Sequence, residues 1–134
     1  MRILILLVIA GVIFTGTAIA GRNDSCADAV RLDEENVRIF VVCPDISEMN
    51  DADITQLVVD IFSRLEGLSD EYFISFFARD DIVGYKTDEK LADDVASGDW
   101  ANAYLGEYYT HSHRITLWPA IPAKRTVRQL PAPK

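Results

Sequence analysis

Asp51-Ala52-Asp53-Ile54-Thr55-Gln56-Leu57-Val58-Val59-Asp60-Ile61-Phe62-Ser63-Arg64-Leu65-Glu66 is the stretch whose pattern decides the fold. Ile54, Leu57, Val58, Ile61, Phe62 and Leu65 recur at i, i+3, i+4, i+7, i+8 and i+11, which is one stripe along a helix. Asp51, Asp53, Gln56, Asp60 and Arg64 fill the opposite side. Asn50 or Asp51 can cap the start, acids sit in the first turn, and Gly67 supplies a left-handed stop. Such a stripe must be covered, and the flanking sequence supplies strands to cover it.

Upstream, Ala29–Leu32 and Val37–Cys43 read as a hairpin turned by Asp33-Glu34-Glu35-Asn36. Val37, Ile39, Val41 and Cys43 share one face by alternation, while Phe40 and Val42 make the other face apolar too. A strand apolar on both sides belongs inside a sheet, and Pro44 ends it. Downstream, Tyr72–Ala78 and Ile82–Lys86 read as strands turned by Arg79-Asp80-Asp81. Thr87 can cap a weaker helix over Asp88–Ala96, anchored by Leu91 and Val95. A last hairpin pairs Ala103–Thr110 with Arg114–Trp118 before Pro119. The expected class is α+β: a mostly antiparallel sheet with one long amphipathic helix packed on one face, in the order ββ-α-ββ-(α)-ββ.

The start of the chain sets the compartment. Arg2 precedes an apolar run from Ile3 to Phe14, and Ala18-Ile19-Ala20 leads into polar Gly21-Arg22-Asn23-Asp24. A basic start, a hydrophobic stretch and small residues two apart before a polar boundary describe a signal peptide over residues 1–20. Cleavage after Ala20 would leave a mature chain beginning at Gly21, periplasmic or extracellular. The alternative is a retained anchor, since Ile3 to Ala20 carries no charge and reaches the lower end of a bilayer-spanning length. Residues 21–119 are expected to form a single α+β domain, and 120–134 a basic, Pro-containing, disordered tail.

Charge narrows the partners. The whole chain has 13 basic and 21 acidic residues. The four basic residues from Lys124 onward have no acid among them, so the body before them is more acidic still. Nucleic acid is therefore not an expected partner, because phosphate binding needs clustered Lys and Arg. A membrane enters only if the first segment is retained. Two cysteines, Cys26 and Cys43, form an even pair in an oxidising compartment and predict a disulfide. Asn23-Asp24-Ser25 fits the glycosylation acceptor pattern, which matters only for a eukaryotic source.

Catalytic chemistry has little support in the sequence. There is no nucleophile elbow, phosphate loop, dinucleotide fingerprint or zinc-protease helix. His111 and His113 flank Ser112 in a hairpin turn, and with Glu107 they make a weak candidate for holding Zn²⁺. Exposed turn histidines are the simpler account. Asp45, Glu48, Asp51 and Asp53 invite a Ca²⁺ reading, but the central glycine and closing glutamate of an EF-hand are missing. No catalytic residue, metal or cofactor is assigned.

The aromatics are more informative. Phe40, Phe62, Phe73 and either Tyr72 or Phe76 are expected in the core. Tyr104, Tyr108 and Trp118 have the opposite parity from Leu105, Tyr109, Ile115 and Leu117. If Leu105, Ile115 and Leu117 face the helix, then Tyr104, Tyr108 and Trp118 line the outer sheet face as an interaction surface. The expected function is that of a small exported acidic, non-catalytic binding domain acting on another envelope or extracellular protein, in an inhibitor or immunity-like role. The alternatives are a small secreted hydrolase, metal-assisted through Glu107 and the histidines, or a membrane-anchored envelope component.

Overall fold

Alternation builds the sheet. In the computed structural model, which describes residues 26, 30–33, 37–65, 71–118 and 125–133, Ile39 and Val41 are fully buried on one side of a strand and Phe40 on the other. That strand is β2 (Arg38–Val42), and it lies between β1 (Val30–Asp33) and β3 (Phe73–Phe77). Three more strands follow: β4 (Tyr104–Tyr109), β5 (Arg114–Leu117) and β6 (Thr126–Gln129). The six strands lie in chain order, β1-β2-β3-β4-β5-β6. All neighbours are antiparallel except β2 and β3, which run parallel in the register Ile39 to Ile74 and Val41 to Phe76.

A parallel pair needs a crossover, and the striped segment supplies it. Helix α1 (Asp51–Arg64) buries Ile54, Leu57, Val58 and Ile61, with Phe62 and Leu65 packed partly buried beside them. Asn50 is its cap, and its side-chain oxygen accepts from the Asp53 N–H at 2.9 Å. The stripe packs with Ile39, Val41, Ile74, Phe76, Leu105, Ile115 and Leu117 in one core cluster. Cys26 and Cys43 belong to the same cluster and are placed as a disulfide-compatible pair with Cα atoms 4.5 Å apart.

The order after β3 differs from expectation. No strand forms over Ile82–Lys86. Instead Asp80–Ile82 makes one 3-10 turn, followed by helix α2 (Glu89–Asp94) and helix α3 (Ser97–Ala103). The β-rich composition of Ile82, Val83 and Tyr85 marks burial, not pairing: Ile82 is buried with Phe40, Phe77, Leu91 and Ala103 in a second core on the other sheet face. Asp88, not Thr87, caps α2 by accepting from the Leu91 N–H. The fold is therefore a mixed α+β arrangement of a six-stranded sheet and few helices, with α1 14 residues long. From β1 onward, the described residues run in the order ββ-α-β-αα-βββ.

The C-terminal segment is the second correction. Thr126–Gln129, expected within a disordered tail, pairs antiparallel with β5, with Ile115 opposite Arg128. Leu130 is 3% exposed in the α1-side core, and its N–H donates to the His113 carbonyl at 2.9 Å. Arg128 reaches the Met49 carbonyl at 3.1 Å and Asp51 at 3.2 Å, on the helix side. Local composition favours disorder here, but a free strand edge and a buried Leu override it. The expected signal segment 1–20, the triplet at 23–25 and Gly67 lie outside the described residues. Among the described residues, no helix is long and apolar enough to cross a membrane.

Candidate binding face

The sheet face away from α1 carries the polar and aromatic groups that the core does not absorb. Register lines them up in rows. Arg38 stands opposite Phe73, Phe73 opposite Tyr109, and Tyr109 opposite Arg114. One step along, Phe40, Ser75, Glu107 and Thr116 form the next row. The residues from Asp80 to Ala103 cover part of this face through Ile82, Leu91 and Ala103 and bring Tyr85 and Trp100 to its border.

A bulge decides who reaches the face. Phe76 pairs with Gly106 while the next residue, Phe77, pairs with Tyr104, so Leu105 is the extra residue of β4. Alternation on either side of Leu105 is thereby reset. Tyr104, Glu107 and Tyr109 lie on the outer face, whereas Tyr108 turns inward. Tyr108 is 1% exposed and sits in the same core as Leu105, Ile115 and Leu117, which removes it from the expected interaction surface. Tyr109 takes the outer place and stacks on Phe73 with centroids 4.6 Å apart. Gly106 is required at the bulge, because an added Cβ would lie 2.5 Å from the Thr116 carbonyl oxygen and 2.7 Å from Leu117 Cδ2.

Tyr104 and Trp118 are half-buried and meet each other at this face. They belong to a continuous ring contact. Trp100 stacks on Tyr104 at 5.0 Å, and Tyr104 meets Trp118 at 5.3 Å. The Trp100 indole N–H donates to the Gly84 carbonyl at 2.9 Å, fixing the ring from the covering segment. Trp100 escaped the sequence reading because α3 has no apolar stripe to announce it.

Beside the rings lies an ion pair. The Arg38 guanidinium donates to Glu107 Oε2 at 2.5 Å and to Ser75 Oγ at 2.9 Å. Its plane lies over Phe73 at 4.8 Å and Tyr85 at 4.1 Å, the arrangement of a cation held against aromatic faces. The Tyr104 hydroxyl donates to the same Glu107 oxygen at 3.1 Å. Burial, and then the neighbouring Glu107 carboxylate, push the Tyr104 phenol well above the ordinary tyrosine range. The hydroxyl therefore keeps its proton and serves as a hydrogen-bond donor to Glu107. Arg38 Nε is buried without a hydrogen-bond partner, which fits a side chain positioned by its rings as much as by its polar contacts.

The other expected site residues are not brought together. Glu107 is committed to Arg38 and Tyr104 on the outer face. His113, at φ 52° in the β4–β5 turn, meets the inward Tyr108 hydroxyl through Nδ1 at 3.0 Å. His111 points to Glu71 at 3.7 Å. Alternation carries Glu107 and the Tyr108–His113 pair to opposite sides of the sheet, so the expected Zn²⁺ set has no common point. Among the described residues no group of three or more His, Cys, Asp or Glu side chains converges as a metal site. Asp51 is taken by Arg128, and Asn50, not an acid, caps α1.

A shallow cleft of about 290 Å³ opens in the covering segment, lined by Asp80, Asp81, Asp88, Asp94 and Lys90 with Val83, Leu91 and Val95. Asp81 is held below the usual carboxylate range by its hydrogen bond from Arg79. Comparison of the chain with protein-family models, characterised proteins and solved structures gives no match.

Proposed function

We propose that this chain is an exported acidic binding domain, without catalysis, that acts on another envelope or extracellular protein through the outer sheet face. One observation supports the reading above others: Trp100, Tyr104 and Trp118 make an unbroken ring contact at the border of that face, beside the Arg38–Glu107 pair. Half-buried aromatics backed by a rigid sheet offer large contact area at little entropic cost, which is how interfaces concentrate their energy. Export rests on the N-terminal pattern, and the Cys26–Cys43 pair suits an oxidising compartment.

The hydrolase alternative has less support. It needs Glu107 near the two histidines, and Glu107 and His113 have other partners on different faces. An inhibitor or immunity-like role remains the form of binding that suits size and acidity. A photo-crosslinking side chain at position 118, introduced in the native host, tests the reading. The expected result is a specific adduct with one envelope or extracellular protein, absent when the probe sits at Gln56 on the exposed side of α1. Adducts from position 56 and none from position 118 would overturn it.

A further inference from the structure

We infer that the Trp100–Tyr104–Trp118 run receives a basic side chain, arginine above lysine, from the partner protein. This rests on the reading of the outer face as the binding surface and adds the chemistry of what binds there.

Charge complementarity carries the choice. The segment that contributes Tyr85 and Trp100 also contains Asp80, Asp81, Asp88, Glu89, Asp93, Asp94 and Asp99, against Arg79, Lys86 and Lys90. Arg79 is spent on Asp81, and the Lys86 ammonium donates to the Val95 carbonyl. Asp99 is exposed, immediately precedes Trp100, and acts electrostatically on Arg79 together with Asp80. The Trp100 side of the rings therefore belongs to an acidic segment, whereas the Glu107 carboxylate on the Tyr104 side is already paired with Arg38. An acidic or neutral apolar partner would meet repulsion or uncompensated desolvation there; a cation would meet neither.

The face already shows how it treats a guanidinium. Arg38 is bracketed by Phe73 and Tyr85 and directed at a carboxylate. The neighbouring rings offer similar components to a side chain from outside: aromatic planes on a segment that carries the exposed Asp99 next to Trp100. Arginine is preferred because its plane stacks on the rings while its edge donates to carboxylates.

The chain reports on this site directly, since its only two tryptophans are Trp100 and Trp118. The probe is a short blocked peptide in which arginine alternates with glycine and serine, compared with lysine, leucine and glutamate versions. The expected result is that the arginine peptide shields tryptophan emission from acrylamide, more weakly as salt is raised. Trp118→Ala, read by anisotropy of a labelled peptide, should weaken binding about tenfold. Asp99→Asn removes one exposed charge without touching a buried contact and should also weaken binding, which keeps the test valid if Trp118→Ala is poorly folded. Equal affinity for the wild type and both variants would mean general polyanion attraction and would overturn the inference. Equal shielding by the leucine peptide would overturn the basic occupant while leaving the face as a binding surface. No shielding by any peptide, with a specific adduct still formed from position 118, would overturn it in the same way; loss of both would remove the face as well.

Discussion

At the scale of single residues, Tyr108 is the most instructive. Its ring is buried among aliphatics, and its hydroxyl meets His113. Replacing it with Ala should cost about 3–5 kcal/mol, the range for losing a buried aromatic. Tyr109→Ala, which removes a half-buried ring stacked on Phe73, should cost less, near the about 0.5–1.5 kcal/mol worth of an aromatic pair. Chemical denaturation of the two variants checks the order, and a larger loss for Tyr109 would refute the placement. Burial also pushes the Tyr108 phenol up to about 12. The unfolded chain loses that proton near about pH 10 while the folded chain keeps it. Its contribution is thus whole below about pH 10 and lost as pH climbs toward 12. Denaturation midpoints measured from pH 8 to 11.5 should fall less steeply for Tyr108→Phe than for the wild type.

At the scale of elements, the bulge in β4 governs the layout of both faces. Gly106 permits the close approach of β5 there, and Gly106→Ala would press a methyl group into the Thr116 backbone. The expected destabilisation is about 1–3 kcal/mol, the cost of overpacking, read from a denaturant midpoint. A neutral result would mean that β4 pairs with β5 without the tight contact. Leu117 lies against the same glycine and is 3% exposed in the α1-side core. Leu117→Ala should cost about 2–5 kcal/mol through the cavity it leaves, with α1 amide protons losing exchange protection. Most of the element-level layout was legible: α1 from its stripe, β2 from its two apolar sides, the β4–β5 hairpin from its turn. The failures share one cause. Ile82, Val83 and Tyr85 read as a strand because buried apolar residues look alike whether they pair or cap a sheet. The one local sign of the extra residue Leu105 is the Gly106 that follows it, which does not say which residue is inserted.

For the whole molecule, the two cysteines join the start of the described chain to the end of β2. Closing that loop should stabilise the fold by about 3 kcal/mol on the chain-entropy estimate. Protein recovered from its native compartment and unfolded without reductant should titrate no free thiol, and reduction should lower the denaturation midpoint by an amount matching that figure. Two titratable thiols would show the pair open. At the two ends of the described residues, Cys26 and Leu130 belong to the same core, and the Arg128 contacts lie beside the second.

What the sequence determined by itself are the properties carried by short periods and by composition: the α1 stripe, the alternation of β2, the acidity and an even pair of cysteines. These are local, because a residue three or four positions away on a helix, or two on a strand, is enough to define a face. Tertiary structure alone decided the parallel pairing of β2 with β3, the use of residues 80–103 as a cover, the enlistment of Thr126–Gln129 as an edge strand, and the exchange of Tyr108 for Tyr109 on the outer face. Each depends on contacts between residues far apart in the chain. The last depends on a single inserted residue, whose effect on parity is set by the strand opposite and not by its own neighbours.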